Sequence, residues 1–428
     1  MRPRGDFIEP SMRQQPTLEE LDGFKGREIA GIKPVAEHFS QLEIERDFAM
    51  VAQNPYVTVN DDAAENHFLF INPTNGNKTL TIEAPHWRVI SENNVPAIIQ
   101  LPSGRKDFFY TSTTKGVGYL KPTAKGYNFD GYSRWYVDDE AEEHDMGYKV
   151  LGFSSEADYD KGKIMEKSNF LLESGLRTEC YWGVAQMKRL PYKGEFKTIE
   201  ELKQAGQIPD LAEYRPCQAV RLLKTNHRIE EAYKAPERAA ELFVDAFAVF
   251  NMEAKDKRLD SLELKIGNPE HEKIFFQVFF ERMGENAATL LNIGYTHYRL
   301  HSANITLAAE VGDVGTMGPW DEEDDDRFTK KYNGVPRACL KDMRDICYGL
   351  RFLTDAAQTA GLEVGEDTDL KDFFLKGFNK VADTSKMRGK GITAIGAKRW
   401  MDAIITKIII DRGQLASLQK YEVEDWDI

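Results

Sequence analysis

The chain is poor in cysteine, in basic charge and in long apolar runs, and each shortage excludes a class of protein. Its 428 residues include four cysteines, Cys180, Cys217, Cys339 and Cys347, with no CxxC or Cys/His spacing among them. Neither a zinc site nor a disulfide framework is expected from that distribution; free buried thiols in a reducing compartment are. Lys and Arg number 56 against 70 Asp and Glu, a net charge of −14. Such a balance argues against a dedicated nucleic-acid or anionic-membrane binder, which needs clustered cations to meet phosphates. An anionic ligand such as ATP would be held by a few placed cations and a metal. The most apolar late stretch, Ala403 to Ile410, is broken by Lys407 and falls far short of the roughly 20 residues of a membrane helix. Arg2 and Arg4 have no apolar segment behind them, so no secretory leader is expected. These readings together predict a soluble, cytoplasmic protein with no membrane partner.

What is present suffices for a large folded core: 41% of residues are hydrophobic and 29% charged, which excludes wholesale disorder. The length suits two to three domains, or one large two-lobed one. Residues 1–55 read as a loose arm followed by an amphipathic helix over Val35 to Ala52. Residues 56–224 are rich in strand-like segments. His67–Ile71 and Thr79–Ile82 flank an Asn-Pro-Thr-Asn-Gly turn signal and read as a hairpin; Ala97–Leu101, Asp107–Thr111 and Val117–Leu120 continue the pattern. Helical periodicity returns over Asp160–Ser174, with Gly175 as its stop. Strands are expected at Thr178–Met187 and Gln218–Leu223, around a polar insertion from Pro191 to Pro216. From 225 to 428 the chain reads as helical, with apolar stripes over Glu237–Phe250, Glu270–Leu291, Leu340–Ala357, Leu370–Ala382 and Ala394–Ile410. Strands first and helices second predict an α+β, two-lobed architecture, not a parallel βαβ sheet.

The stretch from Gly294 to Thr316 carries the chemistry. Asn304 follows a polar loop and precedes a short apolar segment, and Asp313-Val314-Gly315 follows closely. An Asn carbonyl and an Asp carboxylate at neighbouring loop ends are the hard oxygen ligands that Mg²⁺ (or Mn²⁺) takes together with nucleotide phosphates. The alternative for both residues is a loop cap or an Asx-turn.

His297-x-x-x-His301-x-x-Asn304-Ile305 resembles the catalytic loop of small-molecule and atypical kinases, and Asp313-Val314-Gly315 resembles their D-F-G segment. Gly116-Val117-Gly118-Tyr119-Leu120-Lys121 is similar to a glycine turn leading to the nucleotide lysine. Ser168 to Glu179 and Gln218 to Leu223 resemble the helix-C passage and the strand into the hinge of the selenoprotein O family. The four segments occur in the family's order over about residues 105–320. The resemblance implies a protein-kinase-like fold with a β-rich N-lobe and a helical C-lobe, ATP and Mg²⁺ as cofactors, and AMP transfer. Metal ligands would be Asn304 and Asp313. Gly116, Gly118, Lys121 and Glu166 would bind the nucleotide, with Lys115 and Lys125 as rivals of the lysine and Glu173 and Glu156 of the acid. Asp313, Arg299 and His301 are the catalytic candidates.

Two departures bear on the chemistry. Arg299 stands where kinases of this loop type carry the catalytic Asp, and a guanidinium cannot take a proton. Ala303 stands where the selenoprotein O family has an Asp before its metal-binding Asn. The expected activity is therefore an ATP- and Mg²⁺-dependent transferase leaning to AMP transfer onto a protein hydroxyl. A kinase-fold scaffold without catalysis, and a small-molecule or protein kinase, are the alternatives. A nucleotide and a protein acceptor are the expected partners. The acidic run Asp321 to Asp326 lacks the ligand spacing of a calcium loop and reads as a solvated segment. The aromatic-rich stretch Tyr127–Tyr136 reads as lobe-interface packing.

Overall fold

The computed structural model describes residues 47–59, 89–115, 163–192, 195–206, 216–253, 263–321 and 329–413, with short pieces at 17, 19, 43–45, 70–72, 74–75, 78–79, 83–84, 121–122 and 154–155. The strands that build its main sheet are β1 (Phe48–Gln53), β2 (Val57–Val59), β3 (Val89–Gln100) and β4 (Lys106–Lys115). After helix α1 (Ile164–Glu173) come β5 (Cys180–Met187) and β6 (Pro216–Leu223). They pair antiparallel in the order β1-β5-β6-β4-β3-β2, with Ser154–Ser155 adding to the start of β6. β4, β5 and β6 are buried along nearly their whole length, β4 with a buried polar stretch Thr111–Thr114.

Helices follow: α2 (Ile229–Lys234), α3 (Pro236–Glu253), α4 (Pro269–Ile293), α5 (Arg337–Thr359), α6 (Asp367–Val381) and α7 (Ala394–Ile405). The α+β composition, sheet first and helices second, thus follows the periodicities in the sequence. α4 starts on the Asn268 cap with Pro269 at its first turn, as capping chemistry requires. α4 and α6 cross backbone to backbone. A Cβ on Gly284 would lie 2.0 Å from the Phe374 carbonyl oxygen, and one on Gly377 2.0 Å from that of Glu281, so only glycine fits at either side of the crossing. One continuous core joins the inner sheet face (Tyr181, Val184, Ala219) to α1 (Ile164, Leu171) and to the helices (Phe243, Phe276, Leu350). A second core of Phe109, Trp182, Val220 and Leu222 with Leu172 covers other sheet positions. Among the described residues no helix is long and apolar enough to cross a membrane. All four cysteines are free and buried.

The helix expected over Val35–Ala52 is corrected. Glu43–Glu45 and β1 are strands, and β1 aligns Phe48 with Met187 and Ala52 with Val184 of β5. Pairing on a sheet edge outweighs a short ambiguous apolar pattern; residues 35–42 lie outside the described ones. The hairpin is also shifted. Phe70–Asn72 pairs with Glu43–Glu45, while Thr74–Asn75 turns back on Lys78–Thr79. The polar insertion holds a strand pair, Arg189–Tyr192 with Glu195–Thr198, and a helix Ile199–Gln204 that opens on a Thr198/Glu201 capping box. Val117–Leu120 and Tyr127–Tyr136 lie outside the described residues, as does the acidic run beyond Asp321.

Between β6 and α2 the chain crosses from sheet to helices through Lys224–Arg228. The Lys224 side chain is 1% exposed, its Nζ 2.5 Å from Asp107 and 3.5 Å from Glu253, donating also to the Phe108 carbonyl at 2.7 Å. Glu253 also meets Arg177 at 2.6 Å and Arg282 at 2.8 Å. Burial opposes the Glu253 charge, but Arg177, Arg282 and Lys224 outweigh it and hold the carboxyl well below the usual carboxylate range. Sheet and helices are thereby joined by buried charge as well as by apolar packing.

Candidate functional site

The site lies where two sheet strands meet the loop after α4. β4 ends at Lys115, and the register pairs Lys115 with Ala219 and Thr113 with Arg221. Cross-strand partners share a face, and so do residues two apart, so Lys115 and Arg221 stand on the same side of the sheet. Across from them, Tyr295–Thr296 pairs with Gly318–Pro319, closing the stretch 295–319 into a loop. An Ile305–Val311 bridge closes an inner loop. The Gly312 amide donates to the Asn304 backbone carbonyl at 2.8 Å, which brings Asn304 beside the residue preceding Asp313. At Gly312 itself a Cβ would lie 2.3 Å from Arg228 Nη1; glycine lets that guanidinium pack on the loop.

Backbone strain concentrates here. Of five non-glycine residues with positive φ among those described, three are Tyr298, Ala309 and Asp313. Each such residue costs about 1–3 kcal/mol, so the surroundings must enforce them. Around Tyr298 they visibly do. The buried Asp342 of α5 accepts the His297 amide at 2.6 Å, with the Tyr298 amide also donating to it, and Lys341 Nζ donates to the Tyr298 carbonyl at 2.5 Å. His297 is buried, its Nε2 donating to the Gly312 carbonyl at 2.7 Å and its Nδ1 3.2 Å from Thr316 Oγ1. Burial lowers its pKa, so the neutral ring is a strut between the two halves of the loop.

Asp313 is the electrostatic centre. Its Oδ1 is 3.3 Å from Lys115 Nζ and 4.0 Å from Arg221 Nη1. Lys115 foremost, and Arg221 after it, pull its carboxyl well below the usual carboxylate range against the opposing effect of burial. Arg221 in turn meets Glu179 Oε2 at 3.1 Å, and Glu179 Oε1 accepts the Val314 amide at 3.0 Å. Asn304 donates from Nδ2 to the Arg299 carbonyl at 2.8 Å, which leaves its Oδ1 without a hydrogen bond among the described residues. Two hard oxygen ligands, the Asn304 carbonyl and the Asp313 carboxylate, suit a Mg²⁺ or Mn²⁺ ion that completes its shell with phosphates and water. No cluster of three or more His, Cys, Asp or Glu placed to hold a metal occurs among the described residues.

The other candidates fall differently. Lys121 lies in a two-residue strand pairing with Glu83–Ala84, outside the main sheet; the lysine that meets Asp313 is its rival Lys115. Gly116 and Gly118 lie outside the described residues, as do Lys125 and Glu156. Glu166 is exposed on the first turn of α1. Glu173 accepts the Ser103 amide at 2.9 Å, so it ties α1 to the β3–β4 turn. The acid that pairs with a sheet cation is Glu179. Arg299 is exposed and makes no ion pair with any described residue. His301 is exposed, with Nδ1 accepting the Ala303 amide at 3.3 Å; the neutral ring then presents Nε2–H as a donor. Sequence reading passed over Arg221, Glu179 and Asp342. Arg221 carried a signal, a lone charge inside the apolar run Ala219–Leu223, which a buried strand tolerates only when it is paired; Glu179 and Asp342 stand among other charged residues and carried none.

One measurement isolates Asp342. Burial pushes its carboxyl up to about 7, from an ordinary value near 4. The neutral form is favoured by folding, so its stabilising effect is full below the ordinary range and lost as pH rises to about 7. Asp342→Asn, which keeps an acceptor for the His297 amide, is expected to remove that slope, at most about 1.4 kcal/mol per pH unit. Urea midpoints at pH 5.5, 7 and 8.5 that fall equally in variant and wild type would contradict it.

No family model and no curated protein sequence matches the chain.

Proposed function

We propose that the chain is an ATP- and divalent-metal-dependent transferase of protein-kinase-like architecture, directed to AMP transfer onto a protein hydroxyl. The observation that carries this reading is the convergence of Lys115 and Arg221 on Asp313, in a strained and braced loop with Asn304, whose side-chain Oδ1 accepts no hydrogen bond among the described residues. Cations, a carboxylate and an amide oxygen in that order match what a metal-bound polyphosphate requires. Asn304 and Asp313 would hold the metal, and Lys115 replaces Lys121 as the phosphate cation. The metal, when bound, supplies neutralisation of phosphate charge.

None of the three catalytic candidates is placed as a strong general base. Asp313, held far below the ordinary carboxylate range, accepts protons poorly and acts as a ligand. Arg299, a guanidinium, has no acceptor site for a proton, and His301 has its free ring nitrogen occupied by the Ala303 amide. Arg299 and His301, both exposed beside Asn304, are donors to phosphate. In the transfer an acceptor oxygen bonds to the α-phosphorus, the bond from that phosphorus to the bridging oxygen breaks, and pyrophosphate leaves. The acceptor proton passes to water or to the departing phosphate. Rate enhancement comes from positioning and charge neutralisation.

The Lys115–Asp313 pair, which a metal must displace, favours one second reading, a kinase-fold scaffold without turnover. Incubation with α- and γ-labelled ATP separates the readings. Label retained on protein only from the α position supports AMP transfer, and only from γ supports a kinase. Retention of neither, with no metal-dependent ATP stabilisation, would leave the scaffold.

A further inference from the structure

A block of unanswered positive charge lies outside the candidate site. In a chain of net charge −14, residues 384–401 hold Lys386, Arg388, Lys390, Lys398 and Arg399 and no acid. Residues 329–340 hold Lys330, Lys331 and Arg337 and again no acid. The fold joins the two stretches. A hairpin pairing Lys331–Tyr332 with Val335–Pro336 sits on the turn between the short helix Thr384–Gly389 and α7. Lys331 Nζ donates to the Gly391 carbonyl at 2.7 Å, the Thr393 amide to the Gly334 carbonyl at 2.9 Å, and Trp400 Nε1 to the Tyr332 carbonyl at 3.1 Å. Arg337 is half-buried and the other seven cations are exposed; none makes an ion pair with a described residue. The acids that flank residues 384–401 are engaged. Asp383 caps the amides of Ser385 and Lys386, and Asp402 meets Lys371 at 2.8 Å.

One apolar side chain stands among these charges. Ile395, 66% exposed, is the most exposed large hydrophobic residue among those described. It precedes Lys398 and Arg399 by three and four positions in α7, so the three share one helix face, opposite the buried Ala397, Trp400 and Met401. Cations around an exposed isoleucine match an occupant that carries carboxylates and an apolar residue. A nucleic-acid backbone or an anionic bilayer would also meet the cations. Both, however, extend beyond the patch, where the rest of the chain is more negative still and repels them over a Debye length of about 10 Å. The charge of a peptide can be confined to the patch.

We propose that this surface docks an acidic segment of a partner protein, with an apolar residue of that segment against Ile395. Trp320 ties the surface to the base of the loop from 295 to 319: its amide donates to the Gly294 carbonyl at 3.1 Å, and its Nε1 to the Lys390 carbonyl at 3.1 Å. A segment held here therefore lies beside that loop, but its binding needs neither nucleotide nor metal and does not depend on the proposed function.

Fluorescence anisotropy tests this with a labelled peptide of Asp and Glu around one leucine, at low ionic strength and without nucleotide or metal. The wild type should bind the peptide, and added salt should weaken binding. Lys398→Glu/Arg399→Glu, at two exposed positions, should weaken it on the order of tenfold with the melting temperature unchanged. Ile395→Ser, which keeps every charge, should weaken it several-fold. Lys265→Glu/Lys273→Glu changes the net charge equally at and before the start of α4 and should leave binding intact. Absence of peptide binding would overturn the proposal, as would retained affinity in Lys398→Glu/Arg399→Glu or an equal loss in both double variants. So would tighter binding of a single-stranded oligonucleotide or of phosphatidylserine vesicles than of the peptide. Peptide binding that emerges only with Asp321→Asn, Glu322→Gln, Glu323→Gln, Asp324→Asn, Asp325→Asn and Asp326→Asn together would overturn it too, because the occupant would then be the chain's own acidic run.

Discussion

Lys224→Met is expected to lower the stability of the protein by about 3–5 kcal/mol, the largest single-residue loss anticipated here. Lys224 is 1% exposed and contacts Asp107, the Phe108 carbonyl and Glu253. Its ammonium also lies 4.2 Å from the centre of the Phe108 ring. Methionine fills similar space but takes the ammonium from the Asp107 carboxylate, which keeps the Phe108 amide, and from the Phe108 carbonyl, while Glu253 keeps Arg177 and Arg282. The cost is that of an uncompensated charge, not of a lost contact. Adding Asp107→Asn should therefore return part of the loss. Urea denaturation with an unchanged slope would read the effect directly. A Lys224→Met protein as stable as the wild type would show that water reaches the cluster.

Asp313→Ala should abolish metal-dependent nucleotide stabilisation entirely. With Mn–ATP at a hundredfold its Kd, the wild type is expected to gain about 2.7 kcal/mol, and the variant nothing. Asn304→Ala should lose the same gain, but the two should differ without ligand. The Asn304 amide makes one hydrogen bond, to a loop carbonyl, and its removal should leave the unliganded melting temperature nearly unchanged. Removing Asp313 leaves Lys115 and Arg221 facing one another, at a cost of about 1–2 kcal/mol because the site is partly open to water. Thermal shifts with and without Mn–ATP on both variants check this. Retained stabilisation in Asp313→Ala would remove the metal-ligand role and the proposed function together.

Neither effect could be ranked from residue types alone. Lys224 reads as one more lysine after an apolar strand, and its neighbours Asp107 and Glu253 lie 117 and 29 positions away in the chain. The glycine turn before it favours Lys121 in the sequence, with Lys115 as a rival. β4 ends on Lys115, and its pairing with β6 carries that side chain to Asp313, whereas Lys121 falls beyond the strand.

By itself the sequence determined the helices of the second half and the strands β4, β5 and β6, and it singled out the loop from Gly294 to Thr316 as the candidate site. Helical periods, caps and apolar runs are local properties, written within a few consecutive residues, and so is the spacing from Asn304 to Asp313. Only the tertiary structure decided that β1 is a strand, that Glu179 and not Glu166 is the buried acid, and that Arg221 and Asp342 serve the loop. Those outcomes depend on strand register and on which helix face meets the loop. Register is set by contacts between segments a hundred or more residues apart, and a shift of one residue reverses every side chain. The energy of a buried charge likewise depends on partners supplied by other elements, so its function becomes visible only when the chain has closed around it.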